Sequence, residues 1–345
     1  MIYLLHSVII VLLLFFIIYD CVLFTNSVEN LGKEYKLSDG VVGGILAAIG
    51  TALPETVVPL VAVIGAFFTG ESVSIGEEVA LGAVLGSPFL LSTVSFFVTG
   101  ISVLICSKLK KRDCKMCENP LILLRDLKFF VISYTVAISC AFIPHKFIKC
   151  VIAILLIVFY LIYVHRTLKK DFGCCCVEEP EELILLKLFG GKERFKKFLI
   201  ILQIIASLIL LIVLAHFFVK QILFVASALN IPPVVMSLLL APIATELPEC
   251  FNSAIWIGQS KDSLSISNIT GALVFQSCIP AAIGIMLTPW VFNQATAMSV
   301  VLVYISLICV YLNVIKNKGM LNHRILITCG VFYLIYLFYV LKILI

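Results

Sequence analysis

A glutamate and a proline stand together twice in long apolar surroundings: Gly50-Thr51-Ala52-Leu53-Pro54-Glu55 and Ala244-Thr245-Glu246-Leu247-Pro248-Glu249. A carboxylate is costly in hydrocarbon, and glutamate is too short to snorkel far, so its presence there points to ion handling. Proline removes a backbone donor and disrupts the preceding turn, leaving carbonyl oxygens free to coordinate a cation. Thr51 and Thr245 add hydroxyl or carbonyl oxygens, and Glu55 and Glu249 add charge. Two such copies can converge on an oxygen-rich cage of the kind that hard cations such as calcium prefer.

The elements that must position these residues are membrane-spanning helices. The chain has 345 residues, 62% hydrophobic and only 13% charged, and apolar runs of about 20 residues recur from end to end, whereas barrel strands would show as runs of about 10 alternating residues. The expected fold is all-α and polytopic, with ten spans near 3–24, 40–68, 76–105, 127–144, 146–165, 198–219, 231–257, 263–287, 292–315 and 324–344. The turn at Pro144-His145-Lys146 is tight, and the stretch from Lys220 to Asn230 can extend the sixth span. The first run, from Ile2 to Thr25, has no positive flank and no small-residue cleavage site, so it reads as a retained span.

Loop charge orients the chain. With ten spans, 21 of the 25 Lys and Arg residues fall in the odd-numbered loops and only Lys146, Lys149, Lys220 and Lys342 lie opposite. Short loops rich in Lys and Arg stay cytoplasmic, so both termini are expected on the non-cytoplasmic side of a multi-pass protein. The same rule accounts for the net charge of +5 with the lipid bilayer and inorganic cations as partners, and no nucleic acid.

The two hexapeptides are 194 residues apart, each in the second span of a five-span half. An odd number of spans separates them, so the second crosses the membrane in the direction opposite to the first, the inverted repeat of many secondary transporters. Residues 1–166 form the N-terminal half, with its repeat at about 40–105. Residues 167–197 form a cytoplasmic linker with a short amphipathic stretch from Leu183 to Phe189. Residues 198–345 form the C-terminal half, with its repeat at about 231–287. The third span of each half carries a weaker echo, in which Gly86 aligns with Gly271. Glycines there read as close helix packing, but Asn268 places an amide inside a span, where it needs a partner and suits a ligand or supporting role. Asn252, Ser253, Gln276 and Ser277 are lesser candidates for the same cavity.

These motifs resemble the alpha repeats of the calcium/cation antiporter superfamily, which includes the sodium/calcium exchangers and whose usual pattern is Gly-Thr-Ser-x-Pro-Glu followed by Gly-Asn-x-x-Gly-Ser-Asn. The resemblance covers spans two, three, seven and eight, and the five-plus-five arrangement extends it over the chain. It implies sodium/calcium exchange by alternating access, with no enzymatic activity and no cofactor. Glu55 and Glu249 would be the central calcium ligands, with Thr51, Thr245, Asn268 and Ser87 supplying further oxygens. Departures from the pattern bear on the counter-ion. Ala52 and Glu246 replace a serine, and Ala83 and Pro88 replace two asparagines, so neutral oxygens are lost and a third carboxylate is gained. Crowded carboxylates repel one another, which a bound proton relieves, so a proton-coupled calcium or other cation exchanger is the alternative.

A reading of another class starts from the loop cysteines. Cys114-x-x-Cys117 and Cys174-Cys175-Cys176 fall on the same, reducing side of the membrane, where a cysteine-based metal or thiol protein would carry its active part. They lack the paired CxxC spacing of a strong zinc site, so unliganded or regulatory thiols are expected. An intramembrane hydrolase is disfavoured, because no serine–histidine, paired-aspartate or His-Glu-x-x-His constellation lies at suitable depth.

Overall fold

The computed structural model describes residues 2–52, 56, 73–113, 115–116, 119–169, 181–189, 195–228, 246–292, 294–317 and 319–344. Apolar sequence produces helix throughout: α1 (Ile2–Tyr35), α2 (Asp39–Thr51), α3 (Val73–Leu90, running through a π turn at Leu91–Ser95 into Phe96–Lys108), α4 (Pro120–Ser139) and α5 (Lys146–Lys169). A short α6 (Ile184–Phe189) precedes α7 (Lys196–Ala228), α8 (Leu247–Gly258), α9 (Asp262–Leu287), α10 (Gln294–Lys316) and α11 (His323–Leu344). Among the described residues there is no strand, only an isolated bridge between Lys115 and Asn322. Seven of these helices are long and apolar enough to cross a membrane. Of the three other expected spans, one falls on the 20-residue α4, whose first half carries Arg125, Asp126 and Lys128. The other two fall on α2 and α8 together with neighbouring residues outside the described set.

Several helices run beyond the expected span limits, and the reasons are specific. Helix α1 continues past residue 24 to Tyr35 because its polar residues find partners. Asn26 and Asn30 donate to the carbonyls of Glu181 and Glu182 in the linker. Glu29 accepts from Trp256 Nε1 at 2.6 Å and from Lys261 Nζ at 2.5 Å. Helix α4 begins at Pro120, where Asn119 caps it by accepting from the Leu121 N–H and proline costs no helical donor. Helix α7 takes in most of the stretch after Lys220, as the sequence allows, and the turn between α4 and α5 is tight.

Helix α9 is the axis of the molecule. It is buried on nearly every side and packs against α2, α3, α4, α5 and α8, as expected of a helix with no polar face. It crosses the π turn of α2, Val42–Ala47, at close range. A Cβ on Gly271 would collide with the backbone of Gly44, and one on Gly43 would lie 2.7 Å from Leu264 O. The two backbones therefore touch, which requires glycine on both sides. The packing role read for the aligned glycines thus holds at Gly271.

Behind this crossing, Asp126 of α4 is fully buried. Arg125 Nε and Nη2 donate to its Oδ1 at 2.9 and 2.8 Å, and Thr270 Oγ1 donates to Oδ2 at 2.8 Å. The pair ties α4 to α9 one residue from Gly271. Thr270→Val keeps the shape but leaves Oδ2 short of a donor. We expect it to lower stability by about 1 kcal/mol, read as a small drop in the thermal unfolding midpoint in detergent, with an unchanged midpoint ruling the tie out.

Candidate functional site

Within the second hexapeptide a helix begins at Leu247. Glu246 is the N-cap of α8 and Pro248 lies in its first turn, where its missing N–H would have had no helical partner in any case. The expected disruption of the turn before Pro248 involves Ala244 and Thr245, which lie outside the described residues; the described helix runs from Leu247. The positive end of the helix dipole lies at Glu246 and Glu249, which favours negative charge there. The first hexapeptide supplies the other half of the pattern. Helix α2 ends at Thr51, and the Ala52 N–H bonds back to Ala48 O at 3.1 Å.

Five of the seven expected site residues are described, and all are buried: Thr51 and Ser87 are 2% exposed, and Glu246, Glu249 and Asn268 are 0% exposed. Glu55 and Thr245 lie outside the described residues, as do the loop cysteines Cys114, Cys117, Cys174, Cys175 and Cys176. The five come together where α2, α3, α8 and α9 meet. Glu246 and Glu249 are close enough for their charges to interact, with Ser87 beside Glu246 and Thr51 beside Glu249. Asn268 Nδ2 donates to Glu249 O at 3.2 Å and to Ser253 Oγ at 3.1 Å. The lesser candidates support this arrangement. Gln276 Nε2 donates to Glu246 Oε1 at 2.8 Å. Ser253 Oγ donates to Ser265 O at 3.2 Å while Ser265 Oγ donates to Ser253 O at 3.0 Å, a reciprocal pair that pins α8 to α9. Ser277 bonds away from the carboxylates, to Ser133 at 2.6 Å.

What remains unpaired is informative. Both carboxylate oxygens of Glu249, Oε2 of Glu246, Oδ1 of Asn268 and Oε1 of Gln276 are buried without a hydrogen-bond donor. Buried oxygens are ordinarily paired. Thr51 Oγ1 donates its own proton to Ala47 O at 3.0 Å, which leaves its lone pairs open. An array of orphaned oxygens with two carboxylates matches the ligand chemistry of a hard cation. Among the buried carboxylates that the sequence reading missed is Asp20 of α1, although a lone aspartate inside the first apolar run was the available signal. Gly44 was missed as the partner of Gly271 because nothing in the local pattern pairs them.

Buried carboxylates in the centre of a multi-pass helical protein point to the handling of inorganic cations. A family model described as sodium/calcium exchanger protein matches residues 5–169 and 199–344. The chain belongs to that family, whose members are antiporters and not enzymes. The fold is similar to the solved structure of the sodium-calcium exchanger NCX_Mj soaked with 2.5 mM Na+ and 0.1 mM Ca2+, with a TM-score of 0.71 and 16% identity over 98% of each chain. With NCX_Mj in 10 mM Na+ and zero Ca2+, the TM-score is 0.69 and the identity 19%, over 97% of this chain and 98% of that one. No curated protein matches the chain in sequence.

Proposed function

We propose that this antiporter exchanges calcium for sodium or protons by alternating access, with Glu249, Glu246, Thr51, Ser87 and Asn268 contributing to a midplane site that Glu55 and Thr245 complete. The observation that carries the reading is the set of donor-less oxygens on Glu246, Glu249, Asn268 and Gln276, gathered in the buried core. With Glu55 present, three carboxylates face a divalent cation and leave one negative charge, which a sodium ion or a proton neutralises.

Ten spans in two inverted five-helix halves, residues 1–166 and 198–345 joined by the linker 167–197, carry this site. Helices α1 and α7 open the two halves in this arrangement. They also pack along one another. The loop charges favour both termini on the non-cytoplasmic side.

Calcium uptake into proteoliposomes with separate sodium and proton gradients tests the reading. Uptake driven by an outward gradient of either ion is expected, and the effective gradient names the counter-ion. Uptake that responds to neither gradient would overturn the exchange.

A further inference from the structure

A buried carboxylate stands outside both hexapeptides. Asp20 lies in the middle of α1, is 0% exposed, and has no hydrogen-bond donor to either carboxyl oxygen. Its helix faces an apolar cluster that includes Ile17, Phe24, Ala47 and Leu211. Among the described residues, the groups on the elements that pack against it can be named. On its own helix, the adjacent Cys21 thiol is close enough to feel both Asp20 and Glu249. On α7 the Ser207 side chain lies beside it, and the sequence from 198 to 215 holds no charged residue. On α8 the ionisable groups are Glu246, Glu249 and the Cys250 thiol, which add only negative charge. On α2 the sole ionisable residue is Asp39, at the far end. On the linker, Glu181 and Glu182 bond through their backbone carbonyls near Asn26. No Lys, Arg or His of these elements is paired with Asp20 among the described residues.

An ionised carboxylate in apolar surroundings, with no counter-charge paired to it among the described residues and one serine hydroxyl beside it, is strongly disfavoured. A metal cation would need several oxygens to replace its water, and only the carboxylate and the Ser207 hydroxyl are at hand. A proton needs one oxygen. We propose that Asp20 is a proton-binding site on the flank of the cation site, between α1 and α7, and that its proton is released when a cation occupies Glu249 and regained when the cation leaves.

The linkage is electrostatic and reciprocal. A cation at Glu249 raises the positive potential along the Cys21 side of α1, so the carboxyl O–H of Asp20 breaks, its electron pair stays on the carboxylate and the proton passes to water. Protonation of Asp20 in turn weakens cation binding by the same factor. This inference rests on the reading of the Glu246–Glu249 site given above, and it identifies one counter-ion for that site.

The test uses the full chain in proteoliposomes, following calcium with radioactive tracer and protons with an internal pH dye. Calcium–calcium exchange needs no counter-ion, whereas net calcium entry does. In the natural protein, net calcium entry should be accompanied by proton exit. In Asp20→Asn, proton exit per calcium should fall about tenfold or more while calcium–calcium exchange continues. Should the asparagine variant fail to assemble, Asp20→Glu serves in its place, and the pH at which net entry is half-maximal should move. Proton exit unchanged in Asp20→Asn, or an unmoved midpoint in Asp20→Glu, overturns the proposal. A lack of calcium–calcium exchange in the natural protein overturns the Glu246–Glu249 reading, and the Asp20 proposal with it.

Discussion

Glu249→Gln should reduce tracer calcium uptake into proteoliposomes by about a hundredfold. Both of its carboxylate oxygens are buried and donor-less, so neither is occupied by a protein partner that would limit its use by an ion. Glutamine preserves volume and one carbonyl oxygen but removes the charge. Loss of one member of a buried charge pair costs about 3 kcal/mol, which at 1.4 kcal/mol per decade is roughly the stated hundredfold. Glu246→Gln should be milder, about tenfold, because Gln276 already engages Oε1 and only Oε2 is free. The order of the two effects is as informative as their size. If Glu246 were merely a helix cap, its amide variant would transport normally. Unchanged uptake in both variants, with intact size-exclusion profiles, would remove the carboxylates from the transport site.

The extent to which the molecule was legible in its sequence follows from the range of the interactions involved. The hexapeptides were legible because an intramembrane carboxylate beside a proline is rare, and a second copy at a fixed offset is rarer. Helicity, the tight turn before Lys146 and the extension after Lys220 follow from local hydropathy and from where proline and charge fall. Helix α1 outran its expected end because the partners of Asn26, Glu29 and Asn30 lie some 150 to 230 residues away, at Glu181, Trp256 and Lys261. No local signal distinguishes a polar residue that ends a helix from one that is satisfied across the bundle. Pro248 illustrates the same limit from the other side. Its residue type allows either an interior break or a helix start, and nothing local in the sequence tells the two apart. Asp20 was legible in principle, as a carboxylate in an apolar run, but without a motif around it nothing tied it to the site until α1 was seen packed against α7 and α8.

The remaining large effect concerns the crossing that holds the site together. Gly271→Val should lower the stability of the protein by about 3 kcal/mol and abolish calcium uptake. The wall facing Gly271 is the backbone of Gly44, and a backbone cannot rotate away as a flexible side chain can. Either α9 or α2 must move, and both carry site residues. Asn268 precedes Gly271 by one turn on α9, and Thr51 follows Gly44 by two turns on α2, so separation of the helices draws Asn268 and Glu249 away from Thr51. Gly258 provides the control. A Cβ there meets nothing within 4 Å, so Gly258→Ala should be neutral or add about 0.5 kcal/mol without affecting uptake. Thermal unfolding in detergent together with tracer uptake separates the outcomes. A Gly271→Val protein that unfolds at the natural temperature and transports at the natural rate would show that the α2–α9 contact does not position the site.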